Sequence, residues 1–233
     1  MSWNESSYVS ADVRDVRVTA FLSKVYGWMF LGLLVTAGTA VVVASSPLLI
    51  KTFFANRILF WILILGQLGL VLFLSVRVDK MSPATAAGLF LLYSAMVGVT
   101  SSVIFLLYTG ASIVSAFVIT SGMFGAMAVF GTFTKKSLAG VGQFMFMGLI
   151  GLVIASVVNI FLLNDMLSFV ISVIGVIVFT GLTAWDAQRL KEMAVVLPEG
   201  KLGSYAVVGA LSLYLDFINL FFFILRLFGG RRD

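Results

Sequence analysis

Two aspartates, Asp186 and Asp216, hold most of the chemistry that this sequence offers. Asp216 lies near the middle of the apolar run 204–228, about 18 Å along a helix from Ser204 at ~1.5 Å per residue. A charge at the centre of a bilayer costs about 2.5–3.5 kcal/mol on insertion scales, and more on others. A carboxyl at that depth must face protein or a water-filled cavity, and it needs a partner or a proton. Ser212 and Asn219, at i−4 and i+3, extend a polar stripe on the same helical face. Asp216 is therefore either a neutral hydrogen-bond staple between helices or a proton or ion site. Asp186 closes the segment Thr183-Ala184-Trp185-Asp186, with Arg189 and Lys191 just beyond it. It is either a helix-end carboxylate paired with one of those bases or a partner for Asp216. Should the two meet, one holds a proton near neutral pH, because close carboxylates resist double ionisation.

Arg77, at the end of an earlier apolar run, is either an interfacial anchor or a counter-ion for one of the aspartates. Gln67, ten residues before it, is a mid-span amide whose default role is an interhelical hydrogen bond. The chain has no cysteine and no histidine, which removes thiol chemistry, Ser–His triads and all His/Cys metal sites. No cofactor is called for. The formal charge of +5 is scattered among short loops and is no nucleic-acid signal.

These residues must be positioned by membrane-spanning helices. Of 233 residues, 61% are hydrophobic and 11% charged, against about 45–50% and 25% in soluble domains. The apolar runs are continuous rather than alternating, which favours helices over a β-barrel. A ruler of about 20 apolar residues per crossing gives seven spans: 25–45, 58–76, 83–107, 111–133, 138–162, 166–187 and 204–228. The expected class is an all-α, polytopic, seven-helix transmembrane domain over 25–233, preceded by a polar tail, 1–24, that is solvated or lies on the membrane surface. Asp12, Arg14, Asp15 and Arg17 leave no room there for a cleavable signal peptide, so the first span acts as an uncleaved signal anchor. The turns carry clear punctuation, including Ser82-Pro83, Tyr108-Thr109-Gly110 and Asn164-Asp165, and the longest loop is read as 188–203.

Orientation follows Lys and Arg in the loops. With the N-terminus cytoplasmic, that side holds Arg14, Arg17, Lys24, Arg77, Lys80, Lys135, Lys136, Arg189, Lys191 and Lys201. The other side holds Lys51, Arg57, Arg226, Arg231 and Arg232. The bias predicts a cytoplasmic N-terminus and a noncytoplasmic C-terminus. Trp61 and Trp185 fall near span ends, at headgroup level. Gly122 with Ala126, and Gly148 with Gly151, are read as close helix packing.

The block Leu211-Ser212-Leu213-Tyr214-Leu215-Asp216-Phe217-Ile218-Asn219-Leu220-Phe221 resembles the signature of the transmembrane Bax inhibitor motif family. The run from Val178 to Trp185-Asp186 resembles the segment before it, as do Tyr93-Ser94 with Gly98. The resemblance covers nearly everything after residue 20 and points to a bacterial member in the inner membrane. It implies a last helix at the centre with six around it, and a pH-sensitive calcium leak. It further implies that Asp186 and Asp216 share a proton and that Arg77 can latch onto Asp186. Some members have a glutamate where this chain has Gln67; where that acid helps attract the cation, this chain would conduct calcium more weakly or not at all. Two carboxylates suit calcium, although they fall short of its usual six to eight oxygens.

Three function classes compete. One is the leak, with calcium and protons as its ions. A second is a non-conducting regulator that binds other inner-membrane proteins, such as proteases or translocation machinery. The third is an enzyme, and its best version fails. An intramembrane aspartyl protease needs Gly-x-Gly before its second aspartate, where this chain has Tyr214-Leu215, and it needs a Pro-Ala-Leu element beyond this chain's last proline, Pro198.

Overall fold

A computed structural model describes residues 11–230. Seven long helices order the chain: α1 (Ala11–Ala44), α2 (Arg57–Arg77), α3 (Pro83–Ser101), α4 (Gly110–Phe133), α5 (Ala139–Leu162), α6 (Asp165–Val196) and α7 (Leu202–Phe228). With the short helix Ile104–Leu107 extending α3, all seven are long and apolar enough to cross a membrane. The residues read as punctuation cap them. Ser82 accepts from the Thr85 amide ahead of Pro83, Thr109 from Ser112, and Asn164 from Leu167. Each cap satisfies a backbone donor that the helix itself leaves free.

The chain alternates direction, so one end of the bundle gathers the start of α1, Asp79 and the α6–α7 connection. The other gathers the α3–α4 turn, Asn164 and the end of α7. Helix α7 is the core: Leu213, Tyr214 and Leu220 are wholly buried, and Phe217 and Phe221 nearly so. Helices α1, α3, α4 and α6 pack along it, while α2 rests on α3 and α5 on α6. The last helix is central as expected, but four helices flank it rather than six. Lipid replaces protein as solvent for the outer pair, which leaves side chains such as Phe144 and Phe161 exposed.

Tyr214 fixes the rotation of α7. Its hydroxyl lies 2.6 Å from Thr36 Oγ1, which also bonds the Ser94 carbonyl at 2.9 Å. The rings of Phe90 and Tyr93 meet it edge-on at 5.6 and 6.0 Å. Gly98 lets α1 and α3 come this close, since a Cβ there would sit 2.6 Å from the Thr36 carbonyl oxygen.

Several expectations are corrected. Helix α1 begins at Ala11, inside the segment read as a tail, and Phe21 and Leu22 are buried; residues 1–10 of that tail lie outside the described residues, as do Arg231 and Arg232 of the charge count. The loop read as 188–203 is helix as far as Val196. Hydropathy marks where the apolar run stops, but the hydrogen-bond ladder continues where water can solvate the side chains. Arg17 on α1 donates to the Leu197 carbonyl, tying both extensions together. Gly122 and Gly151 have open space around them, while a Cβ on Gly148 would meet Val178 at 3.1 Å, so of these three glycines only Gly148 packs closely, and it is not among the tightest contacts. Those are at Gly131, where a Cβ would overlap the Ala184 carbonyl, and at Gly142, where it would overlap the Trp185 ring. Trp185 thus packs between helices, whereas Trp61 is exposed near the start of α2.

At Gly131 the atoms an added methyl would meet all belong to the Ala184 backbone, so α4 and α6 must separate to admit it. Gly131→Ala is expected to destabilise the bundle by about 1–3 kcal/mol, read as a lower thermal midpoint in detergent. Gly122→Ala, made into open space, should leave the midpoint nearly unchanged; equal effects would contradict this packing.

Candidate functional site

Asp216 is 5% exposed, and its Oδ2 is buried without a hydrogen-bond partner. The other acid, Asp186, lies on α6, which packs along α7, and the two carboxyls act on each other electrostatically. Helix rotation sets which way Asp216 faces. Asp216 is two residues past Tyr214, about 200° round the helix, so anchoring Tyr214 against α1 and α3 turns the aspartate away from them.

Around this pair the expected residues separate into two groups. Spacings of seven, four, three and seven place Tyr205, Ser212, Asp216, Asn219 and Arg226 on one face of α7. Ser212 and Asp186 line a cavity of about 250 Å³ at the Asp79 end, together with Asp79, Arg189 and Tyr205. Asn219 instead lines a cavity of about 730 Å³ at the Asn164 end, with Tyr108, Asp165 and Arg226. Asn219 also donates to the Leu215 carbonyl at 2.8 Å. Asp216 lines neither cavity. It sits in the stretch between them, one turn of helix from each, where the two are separated by about 10 Å of rise.

The base beside Asp186 is Arg189, at 4.0 Å. That guanidinium is 54% exposed and also lies over the Trp185 ring, so the ion pair is loose and contributes little. Lys191 is turned the other way and donates to the Thr132 carbonyl at 2.8 Å. Arg77 is exposed at the end of α2, has no ion pair among the described residues and does not line the cavity. The structure therefore shows no Arg77 latch: Arg189, three residues along the same helix, is nearer Asp186 than a base on a neighbouring span. Gln67 behaves as a packing amide, donating to the Met96 carbonyl at 3.1 Å and to Thr100 at 3.3 Å, on α3 rather than at the aspartates. No group of three acidic side chains able to hold a metal occurs among the described residues. The two aspartates fall short of a calcium cage by themselves, and any cation there would keep much of its water.

Two further residues matter here, Tyr205 at the start of the last span and Asp79 in the turn after the second. Tyr205 donates to Asp79 Oδ1 at 2.7 Å, and Lys201 donates to the Asp79 carbonyl. These bonds fasten the turn after α2 to the start of α7, at the rim of the smaller cavity. The signal was present in the sequence, since Tyr205 lies on the Ser212–Asp216 face. Its partner, in a loop more than a hundred residues away, left no such trace.

Residues 18–233 match the family described as "Inhibitor of apoptosis-promoting Bax1". The chain is 49% identical to the inner membrane protein YbhL of Escherichia coli K12 over 215 residues, covering 91% of this chain and 92% of that protein. It is 46% identical to an uncharacterized protein of Borreliella burgdorferi, covering 91% and 93%. An uncharacterized membrane protein of Streptococcus pyogenes is 38% identical, covering 94% and 96%.

Tyr205→Phe removes the side-chain bond that fastens the 78–80 turn while leaving the ring to pack. Amide exchange of residues 78–81 should accelerate about two- to tenfold, the range for one exposed hydrogen bond, with exchange in the α7 core unchanged. Equal protection in both proteins would show that the bond does not hold the turn.

Proposed function

The chain belongs to the family of inhibitors of apoptosis-promoting Bax1, and on that footing we propose that it is a pH-sensitive calcium leak of the inner membrane. Like its Escherichia coli relative it is a multi-pass inner-membrane protein. In this reading the Asp79 end is cytoplasmic and the Asn164 end faces outward, as the loop charges favour. The chain acts as a passive path and catalyses no reaction.

The observation that carries the reading is the place of Asp216 between two cavities. A buried carboxyl oxygen without a partner is costly unless a proton or a cation attends it. One proton shared between Asp216 and Asp186 satisfies both groups with a single charge. Loss of that proton leaves two negative charges in a poorly screened setting. The helices then separate, admit water or take up a cation, and each response joins the two cavities. Calcium prefers oxygen ligands, and the path offers Asp79, Asp186 and Ser212 on one side of Asp216 and Asn219 on the other. Arg189, on its exposed stem, is the base that competes with a cation for Asp186.

Calcium flux into proteoliposomes, followed from about pH 5 to 8, tests this directly. The parent should show pH-dependent flux, Asp216→Asn should lose the pH dependence, and Asp186→Asn should alter it strongly. Flux that is the same in all three proteins at every pH would remove the leak reading and leave the non-conducting regulator of other membrane proteins in its place.

A further inference from the structure

We infer that Arg226 and Asp165 set the charge of the outer cavity and so control how readily cations reach Asp216 from that side. The inference rests on the leak reading above and adds a selectivity element that the aspartate pair does not supply.

The larger cavity, about 730 Å³, has two charged residues in its lining. Asp165 is the first residue of α6, and Arg226 lies in the last turn of α7. Although they share one cavity, no ion pair joins them, and neither has any other ion pair among the described residues. Each therefore acts on the cavity rather than cancelling the other through a direct contact. Arg226 is also in register with the site. It is seven residues from Asn219 and ten from Asp216 on the same face of α7, and only Phe223 interrupts the stripe. Phe223 stacks on Phe179 at 5.9 Å and rests where a Cβ on Gly175 would collide with its ring. Phe223 lines the same cavity and lies along α7 between Asn219 and Arg226.

Arg226 and Asp165 are both exposed at this cavity, and a fixed positive charge there lowers the local concentration of cations while a fixed negative charge raises it. The other polar groups of the lining are neutral, and part of them is already committed. Asn159 donates to Ser168 at 2.7 Å and accepts from the Asn164 amide, which holds the α5–α6 turn. Among the described residues the balance of charge in the cavity thus rests on one arginine and one aspartate, and removing either tips it in a known direction.

The test measures initial calcium uptake from the outer side in right-side-out membrane vesicles carrying the full-length protein. Arg226→Gln should raise uptake about fivefold and Asp165→Asn should lower it by a similar factor. Arg226→Lys should stay near the parent, as should the double variant Arg226→Gln with Asp165→Asn. Raising the salt to about 1 M should shrink both single-variant effects, since exposed charges are then screened within ~3 Å. Opposite, salt-sensitive shifts support the inference. Shifts of the same sign, or shifts that salt does not touch, overturn it while leaving the leak reading intact. A parent that takes up no calcium overturns both.

Discussion

The architecture depends on keeping one carboxyl, that of Asp216, out of lipid at the depth of the hydrocarbon. The cost of exposing it exceeds that of placing any other side chain of α7, so α7 takes the centre of the bundle. Tyr214 completes the constraint. Its hydroxyl and ring are fixed by Thr36, Phe90 and Tyr93, which sets the helix rotation that turns Asp216 away from α1 and α3. The glycines that let α1 meet α3 and α4 meet α6 make the enclosure close enough to hold. Packing and electrostatics therefore meet in two residues of one helix, two positions apart.

The same constraint divides the interior. Polar side chains recur along one face of α7, but they gather as two cavities with Asp216 in the dry stretch between. In the proposed leak this arrangement would resist conduction at rest and would need only a local change to conduct. The barrier is about two turns of helix. In that proposal its weakest point is the Asp216 carboxyl, whose charge would depend on a single proton.

Much of this was legible in the sequence. An aspartate inside an apolar run is so costly that its burial follows from the pattern alone, whereas the central position of its helix was implied by the family resemblance. The apolar runs and their caps likewise give seven spans. What hydropathy misses is anything set by contacts outside the hydrocarbon. The extension of α1 to Ala11 and of α6 to Val196 is stabilised by packing between the two helices, around Phe21, Leu22, Leu190 and Ala194. The choice of Arg189 over Arg77 turns on which way each side chain points, and spacing along the chain does not record that. The bond between Tyr205 and Asp79 joins residues remote in sequence, and no periodicity announces it. Small-residue spacing misled for a related reason. Gly122 and Ala126 have the spacing of a helix contact but face outward, whereas Gly131 and Gly142 make the contacts.

The claim that Asp216 separates two cavities open to opposite sides can be tested most directly by thiol accessibility, because the chain has no cysteine of its own. Ser212→Cys and Asn219→Cys would be introduced singly and exposed to a membrane-impermeant thiol reagent from each side of sealed vesicles. The account predicts that Ser212→Cys reacts only from the cytoplasmic side and Asn219→Cys only from the outer side. Reaction of both from one side, or of neither from any side, would contradict it.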